Sequence, residues 1–434
     1  MLLSQALKNT ITWKTINFGL VFLVNVMMVR LLGVEASGMF GYSIAWLSLF
    51  ILISSASLES GLTYFASRRN TDFSRLFVLL LILLPFQALI AFGLFHLVKT
   101  GIPVGLAVAY ITGFIAINSL TGLFAGIRSF RLPLMIIAGI NLCLLAVLIY
   151  LYSTGKQDMA GPARVIFLFI AAVVIQALFL FLYGIRPFCS TTLNLKDSPE
   201  LLKNVFQYSL IAFAGNILFF LVSRVDYYFV ERYCDPISLS NYVQVSRMGQ
   251  IMVVLPSMIA SVIFPFRAGS EKEDFLSALK YCCRFLTVLF FLIAILFILT
   301  GQWLFPFLYG KGFDQMYAVM LWYLPGFFCL GIVTVLAAHL AGSGMIKENL
   351  LASLFSLLVM IAGDIFLVPR GGIIAAAMVS SVAYLVCLAF LLRIYKKKKG
   401  CAPLEFFRIR GADFYFYKNI ITSFTHKHSI ENTP

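Results

Sequence analysis

The stretch FLVSRVDYYFVERY, from Phe220 to Tyr233, places two opposite charges at the end of an apolar run that begins at Leu210. The predicted span that contains both charges, residues 207–230, is long enough for a helix that crosses a membrane. A charged side chain at the bilayer centre costs about 2.5–3.5 kcal/mol, so such groups usually face a protein interior or a water-filled cavity. Arg224 and Asp226 lie two positions apart, about 200° around a helix, and cannot pair with each other. At least one of them therefore needs a partner on another helix or in a cavity.

The composition extends this interpretation from one segment to the whole chain. The 434 residues are 61% hydrophobic and 12% charged, with a mean hydropathy of +0.96, whereas soluble domains carry about 25% charged residues. About twelve segments are apolar enough to span a bilayer. They lie near residues 15–33, 40–62, 76–98, 104–126, 132–152, 164–185, 207–230, 240–264, 281–300, 317–341, 346–368 and 372–394. The sequence predicts an all-α polytopic membrane protein.

Membrane topology explains the net charge of +15. If the N-terminus lies in the cytoplasm, most of the 33 Lys and Arg residues fall in cytoplasmic loops or in the C-terminal tail, as the positive-inside rule requires. We therefore predict that both termini are cytoplasmic and that no nucleic acid is bound. The eight cysteines fit neither a zinc site nor a disulfide framework, and no P-loop or nucleophile elbow is present. No metal, cofactor or catalytic residue is predicted.

The polar link near the middle of the chain divides the spans into two sets of six. We predict an N-terminal six-helix lobe at 1–185, a cytoplasmic linker at 186–206, a C-terminal six-helix lobe at 207–395 and a basic cytoplasmic tail at 396–434. An even number of spans in each half makes both halves face the same way, so the lobes are predicted to be parallel repeats. The basic run Lys396–Lys399 at the membrane edge suits contact with anionic lipid.

Three arginines lie at similar predicted depth, in spans one, seven and eight. If Arg30, Arg224 and Arg247 converge, they line a cationic cavity for an anionic substrate, because Arg binds phosphate and carboxylate through a bidentate fork. Alternatively, each arginine snorkels to the headgroups or pairs privately with a carboxylate. Tyr228 shares a helical face with Arg224 and Glu231. We group Tyr228 with the three arginines as a candidate for substrate binding.

Carboxylates within the predicted spans are few. Glu59, Asp226 and Asp364 are candidates for coupling to a proton or sodium gradient, or else structural partners of arginines and helix ends. Asn and Gln side chains within the spans either form interhelical hydrogen bonds or touch a polar substrate such as a sugar. The sequence leaves both alternatives open.

Three segments resemble the helix joins of polysaccharide transporters. They are VRLLGVEASGMFGYSIAWLSLF (Val29–Phe50), DYYFVERYCDPISLSNYVQVSRM (Asp226–Met248) and AGSGMIKENLLAS (Ala341–Ser353). The resemblance covers the chain to about Tyr395. It points to the multidrug/oligosaccharidyl-lipid/polysaccharide exporter superfamily, and within it to the O-antigen flippases called Wzx.

The resemblance implies a V-shaped bundle of two lobes that opens alternately to the two sides of the bacterial inner membrane. The implied substrate is a repeat unit of sugars on undecaprenyl pyrophosphate, which is moved from the cytoplasmic to the periplasmic leaflet. The implied partners are membrane lipids and the polymerase and chain-length proteins of the same pathway. Arg30, Arg224 and Arg247 match positions where the family often carries charge.

Two alternative functions remain at this point. A cation-coupled multidrug exporter of the same superfamily would favour an acidic cavity, which the basic residues do not suggest. A membrane-embedded polysaccharide polymerase would need a large catalytic loop on the periplasmic side, and the sequence contains no such loop.

Overall fold

The computed structural model of the protein describes residues 3–66, 73–96, 101–127, 129, 131–154, 161–188, 198–268 and 275–408. The helices within these residues are α1 (Leu3–Ser55), α2 (Leu58–Ala66), α3 (Phe73–Phe95), α4 (Val104–Gly126), α5 (Arg131–Ser153), α6 (Pro162–Phe188), α7 (Ser198–Tyr233), α8 (Pro236–Met252), α9 (Val254–Ala268), α10 (Phe275–Tyr309), α11 (Gln315–Gly342) and α12 (Ile346–Lys399). A short 3-10 helix (Pro403–Phe406) follows α12. Within the described ranges, ten helical segments are long and apolar enough to cross a membrane. The predicted all-α polytopic fold is confirmed.

Helix α12 is a hairpin of two antiparallel arms, residues 346–371 and 373–399. The turn is at Gly372, whose φ of 56° and ψ of −145° are non-helical. The Ser356 hydroxyl donates to the Ala383 carbonyl at 2.8 Å, although a straight helix would separate these residues by about 40 Å. The rings of Phe355 and Phe390 are also 5.4 Å apart. The two arms correspond to the predicted spans at 346–368 and 372–394.

Helix α1 is likewise interrupted at Gly33, where φ is 76° and ψ is 173°. Its 53 residues would extend about 80 Å as one straight helix, far beyond a hydrocarbon core of about 30 Å. The Asn25 amide donates to Gln244 at 2.9 Å, and the Ser37 and Ser240 hydroxyls are 2.8 Å apart. Residues 240 and 244 are one turn apart on α8, which indicates that α1 also folds back at its glycine. Counting both hairpins, the ten segments supply the predicted twelve spans.

The helices present two kinds of surface, as expected for a membrane protein. Leu47, Ile111 and Phe124 are fully buried and belong to one core in which α4 packs against α2, α3 and α6. In contrast, Phe86 is 59% exposed and Phe291 is 66% exposed. Large apolar side chains exposed along whole helices are suited to contact with lipid.

The chain divides into two compact units, Met1–Gln244 with Trp303–Met316, and Val245–Gln302 with Tyr317–Pro434. The sequence predicted a linker at 186–206. In the structure, residues 198–206 of that segment form the first turns of α7. The division into two lobes of six spans at 1–185 and 207–395 stays a prediction. Most of the predicted tail, from residue 409 onward, lies outside the described residues.

The start of α8 is fixed by a capping aspartate. The Asp235 carboxylate accepts hydrogen bonds from the Ser238 hydroxyl at 2.6 Å and its backbone N–H at 2.9 Å, and Pro236 occupies the first helical position, which it favours. The hydroxyl and backbone donors lower the pKa of the Asp235 carboxyl. The cap therefore stabilises the folded protein fully at pH values above the ordinary aspartate pKa. This stabilisation is lost as the pH falls through the lowered pKa of Asp235 in the folded state.

Gly38, on the second arm of α1, lets that arm approach the backbone of α8. A Cβ at this position would lie 2.8 Å from the Pro236 carbonyl oxygen and 2.8 Å from the Ser240 nitrogen. Because backbone atoms cannot rotate away, we expect Gly38→Ala to destabilise the protein by about 1–3 kcal/mol, the usual cost of overpacking. Thermal unfolding of the purified protein measures this.

Gly19 provides the matched control for this prediction. It lies on the first arm of α1, and a Cβ there would meet no atom within 4 Å. Gly19→Ala should be neutral or stabilising by up to about 1 kcal/mol, from helix propensity alone. Equal melting temperatures for the two variants would contradict the close approach at Gly38.

Candidate functional site

Helices α1 and α7 bring five polar and aromatic side chains together within the first unit. Arg224, Tyr228 and Glu231 follow one face of α7 at helical spacing, as the sequence predicted. On the second arm of α1, Tyr42 and Trp46 lie one turn apart and face them. The ring centroids of Trp46 and Tyr228 are 4.5 Å apart, and those of Tyr42 and Tyr228 are 5.8 Å apart. We call these five residues the aromatic–arginine cluster.

The charges of the cluster lie at its two ends along α7. Arg224 lies four residues before Tyr228, and Glu231 lies three residues after it. The order along the helix face is therefore cation, phenol and carboxylate. Such a face offers an anion-binding group at one end and a hydrogen-bond acceptor at the other.

Arg224 is half-buried, and its side-chain contacts within the described residues are with Tyr227. Its guanidinium donates to the Tyr227 hydroxyl and lies 4.9 Å from the centroid of that ring. No carboxylate of the described residues pairs with it. Arg224 lies nine residues before the end of α7 at Tyr233, a rise of about 14 Å. The structure therefore places Arg224 well inside a helix long enough to span a membrane, with no carboxylate partner among the described residues.

Asp226 faces a different neighbour, on α8. It is fully buried, accepts a hydrogen bond from the Tyr242 hydroxyl, and accepts another from the backbone N–H of Tyr227 at 3.0 Å. The rings of Tyr227 and Tyr242 are 5.9 Å apart in edge-to-face geometry. Asp226 thus joins α7 to α8, and its proposed part in ion coupling stays a prediction.

Arg30 caps the C-terminal end of α10. Its guanidinium donates to the Leu308 carbonyl at 2.8 Å and to the Phe307 carbonyl, and lies 5.7 Å from the ring of Tyr152. The last carbonyls of a helix have no partner within the helix and attract cations. This contact accounts for Arg30 structurally, and substrate binding by Arg30 stays a prediction.

Two further candidates lie in the second unit. Arg247 is half-buried on α8, and Asp364 is fully buried on the first arm of α12. Arg30 and Arg224 belong to the first unit. Convergence of the three arginines on one cavity stays a prediction, as does ion coupling by Asp364.

Glu59 follows a break between α1 and α2. Ala56 and Ser57 have φ of 45° and 56°, a left-handed conformation that non-glycine residues rarely adopt. The Asn216 amide of α7 donates to the Ser57 hydroxyl at 3.0 Å. Within the described part of the chain, one carboxylate oxygen of Glu59 is buried without a hydrogen-bond partner. Ion coupling by Glu59 stays a prediction.

The neutral polar side chains mostly join helices. The Asn141 amide donates to Asn17 at 2.9 Å, and the Gln176 amide donates to Asn141 at 2.8 Å, so that α1, α5 and α6 share one network. Asn25 pairs with Gln244, as described above. For these residues the structure shows interhelical hydrogen bonds, and contact with a sugar substrate stays a prediction.

The sequence did not single out Tyr42 or Trp46. Their spacing of four residues on a predicted span was a usable signal, because it places two amphipathic aromatic side chains on one helical face. An aromatic stripe in a membrane helix more often faces lipid or the core, so the pairing with α7 was needed to identify it. The described residues contain no group of three His, Cys, Asp or Glu side chains arranged to hold a metal ion.

Solved structures place this fold among membrane transporters. A lipid II flippase MurJ in an inward closed conformation aligns with a TM-score of 0.66 and 16% identity, over 89% of this chain and 87% of that chain. An inward-facing multidrug resistance MATE family transporter of the MOP superfamily aligns with a TM-score of 0.65 and 17% identity, over 91% of this chain and 100% of that chain. The Vibrio cholerae MATE transporter VcmN in its bent form aligns with a TM-score of 0.56 and 15% identity, over 93% of this chain and 99% of that chain. At these identities the likeness establishes the fold.

The family follows from the sequence match. A family model described as polysaccharide biosynthesis protein matches residues 27–318. The chain belongs to this polysaccharide biosynthesis family and has the fold of the MOP superfamily transporters. No curated protein sequence matches it.

Proposed function

We propose that the protein is a flippase for undecaprenyl-pyrophosphate-linked oligosaccharide, the repeat unit of O-antigen or of a related surface polysaccharide. It moves this lipid from the cytoplasmic to the periplasmic leaflet of the bacterial inner membrane by alternating access. The observation that carries the proposal is Arg224, a half-buried cation without a carboxylate partner among the described residues. Membership of a polysaccharide biosynthesis family supports it.

The chemistry of the substrate fits such a cation. A pyrophosphate crossing the bilayer loses its hydration, and an isolated charge in a low-dielectric interior is very costly. A guanidinium offsets this cost through paired, charge-assisted hydrogen bonds. The polyprenyl tail needs no such help, because it remains in lipid throughout transport.

Several finer features belong to the same proposal. Both termini lie in the cytoplasm, and the polymerase and chain-length proteins of the pathway receive the product. Coupling to a proton or sodium gradient would use Glu59, Asp226 or Asp364. Among these, Glu59 has the strongest support, because a buried carboxylate oxygen without a partner favours protonation or a bound cation.

Export of cationic drugs is the second candidate, because MATE transporters share the fold. Arg224, which has no carboxylate partner among the described residues, repels a cationic drug and so weighs against this candidate.

A host that lacks the gene provides the test. We expect complete lipid-linked repeat units to accumulate on the cytoplasmic leaflet, with loss of surface polysaccharide, and both effects to be reversed by the gene on a plasmid. The measurement is the leaflet distribution of extracted lipid-linked oligosaccharide. Units that reach the periplasmic leaflet but stay unpolymerised would indicate a polymerase. An unchanged distribution together with increased drug sensitivity would indicate a drug exporter.

A further inference from the structure

Tyr228 occupies the centre of the aromatic–arginine cluster, and its hydroxyl is not accounted for by packing. The oxygen is buried and has no hydrogen-bond partner within the described residues. The ring itself is well packed, against Trp46 at 4.5 Å and Tyr42 at 5.8 Å. A phenylalanine would fill the same space.

Neighbouring tyrosines show that partners are available in this region. The Tyr227 hydroxyl accepts from Arg224, and the Tyr242 hydroxyl donates to Asp226. A buried hydroxyl without a partner costs about 1–3 kcal/mol, and water is scarce in the bilayer core to relieve that cost. The Tyr228 hydroxyl therefore suits a hydrogen-bonding group that enters from outside the chain.

The positions along α7 indicate which part of the proposed substrate enters here. Tyr228 lies one turn from Arg224, about 6 Å along the helix surface, a distance that the P–O–C linkage and the ring of the first sugar together can span. Glu231, the next residue on this face, would repel the pyrophosphate but can accept hydrogen bonds from sugar hydroxyls. The pyrophosphate therefore belongs at Arg224, and the saccharide extends toward the Tyr233 end of α7.

We infer that Tyr228 and Trp46 form a saccharide subsite beside the pyrophosphate-binding Arg224. The Tyr228 hydroxyl hydrogen-bonds to the first sugar, and the two rings, inclined at 61°, offer apolar faces to its C–H groups. This inference rests on the proposed function and goes beyond it, because it assigns sugar recognition to particular side chains and sets the direction of the substrate along α7.

The test compares two lipids and two matched Tyr→Phe variants. The probes are undecaprenyl pyrophosphate without sugar and the lipid-linked oligosaccharide extracted from a host that lacks the gene. Binding to the purified protein is measured from the ligand-dependent rise in melting temperature. We expect Tyr228→Phe to keep its affinity for the bare lipid and to lose about 5- to 10-fold in affinity for the saccharide lipid, the value of one hydrogen bond. Its melting temperature without ligand should equal or exceed that of the wild type.

Tyr242→Phe is the control, because its hydroxyl already has a partner in Asp226. The Tyr242→Phe variant should melt at a lower temperature than the wild type. The ratio of its affinities for the two lipids should equal that of the wild type. Full affinity of Tyr228→Phe for the saccharide lipid, or equal losses for both lipids, would overturn the subsite. A lowered melting temperature for Tyr228→Phe would also overturn it, by revealing an internal partner. If the wild type binds neither lipid, the proposed function itself fails.

Discussion

Replacing Arg224 with alanine is expected to abolish transport of the lipid-linked saccharide while the amount of folded protein in the membrane stays normal. The side chain has only the Tyr227 hydroxyl and ring as close partners among the described residues. Its removal therefore costs little folding energy. Loss of a buried charge contact to a ligand costs ~2–5 kcal/mol, so transport should fall about 30-fold to more than 1,000-fold. The measurement is surface polysaccharide in a complemented deletion host, normalised to protein level.

Arg232 supplies the control on the same helix. It is exposed, and its guanidinium lies 5.8 Å from the centroid of the Tyr233 ring. Arg232→Ala should transport normally. Arg224→Lys keeps the charge but loses the bidentate fork, so it should give an intermediate rate. Wild-type transport by Arg224→Ala would exclude this arginine from the substrate pathway.

Replacing Asp226 with alanine is expected to have the opposite effect, with folded protein lost from the membrane. The fully buried carboxylate accepts from the Tyr242 hydroxyl and the Tyr227 backbone. Alanine removes both hydrogen bonds, and loss of the buried contact with the Tyr242 hydroxyl costs about 1–3 kcal/mol, a substantial part of the stability of a typical domain. Protein level and thermal unfolding in detergent measure the loss.

Asp226→Asn separates the structural role from ion coupling. Asparagine keeps one acceptor oxygen, and the Tyr242 hydroxyl can rotate to accept from the new amide. A structural role predicts a nearly normal level and substantial transport for this variant. A normal level with no transport would instead assign Asp226 to coupling. A wild-type melting temperature for Asp226→Ala would show that the hydrogen bond with Tyr242 contributes little to the stability of the folded protein.

The two charges two positions apart on α7 thus have different reasons to be in the membrane. Asp226 accepts a hydrogen bond from Tyr242 on the neighbouring helix. Arg224 has no carboxylate partner among the described residues, and such a charge is costly in lipid, so anion binding is the role that we predict for it.

Local properties of the sequence were sufficient for much of this description. Apolar segment length depends only on neighbouring residues, so it predicted the helical membrane fold and the separate spans that the structure shows on either side of Gly33 and Gly372. Helical periodicity also placed Arg224, Tyr228 and Glu231 on one face of α7, because 3.6 residues per turn holds for any α-helix.

The partners across helices were decided only by tertiary structure. Tyr42 and Trp46 lie more than 170 residues before the α7 face that they contact, and Arg30 caps a helix end 278 residues away. Periodicity gives the direction of a side chain relative to its own helix but not the identity of the helix opposite. That identity depends on how all the apolar faces pack at once. The tertiary structure was therefore needed to show that Asp226 pairs with Tyr242 and that Arg224 has no carboxylate partner among the described residues.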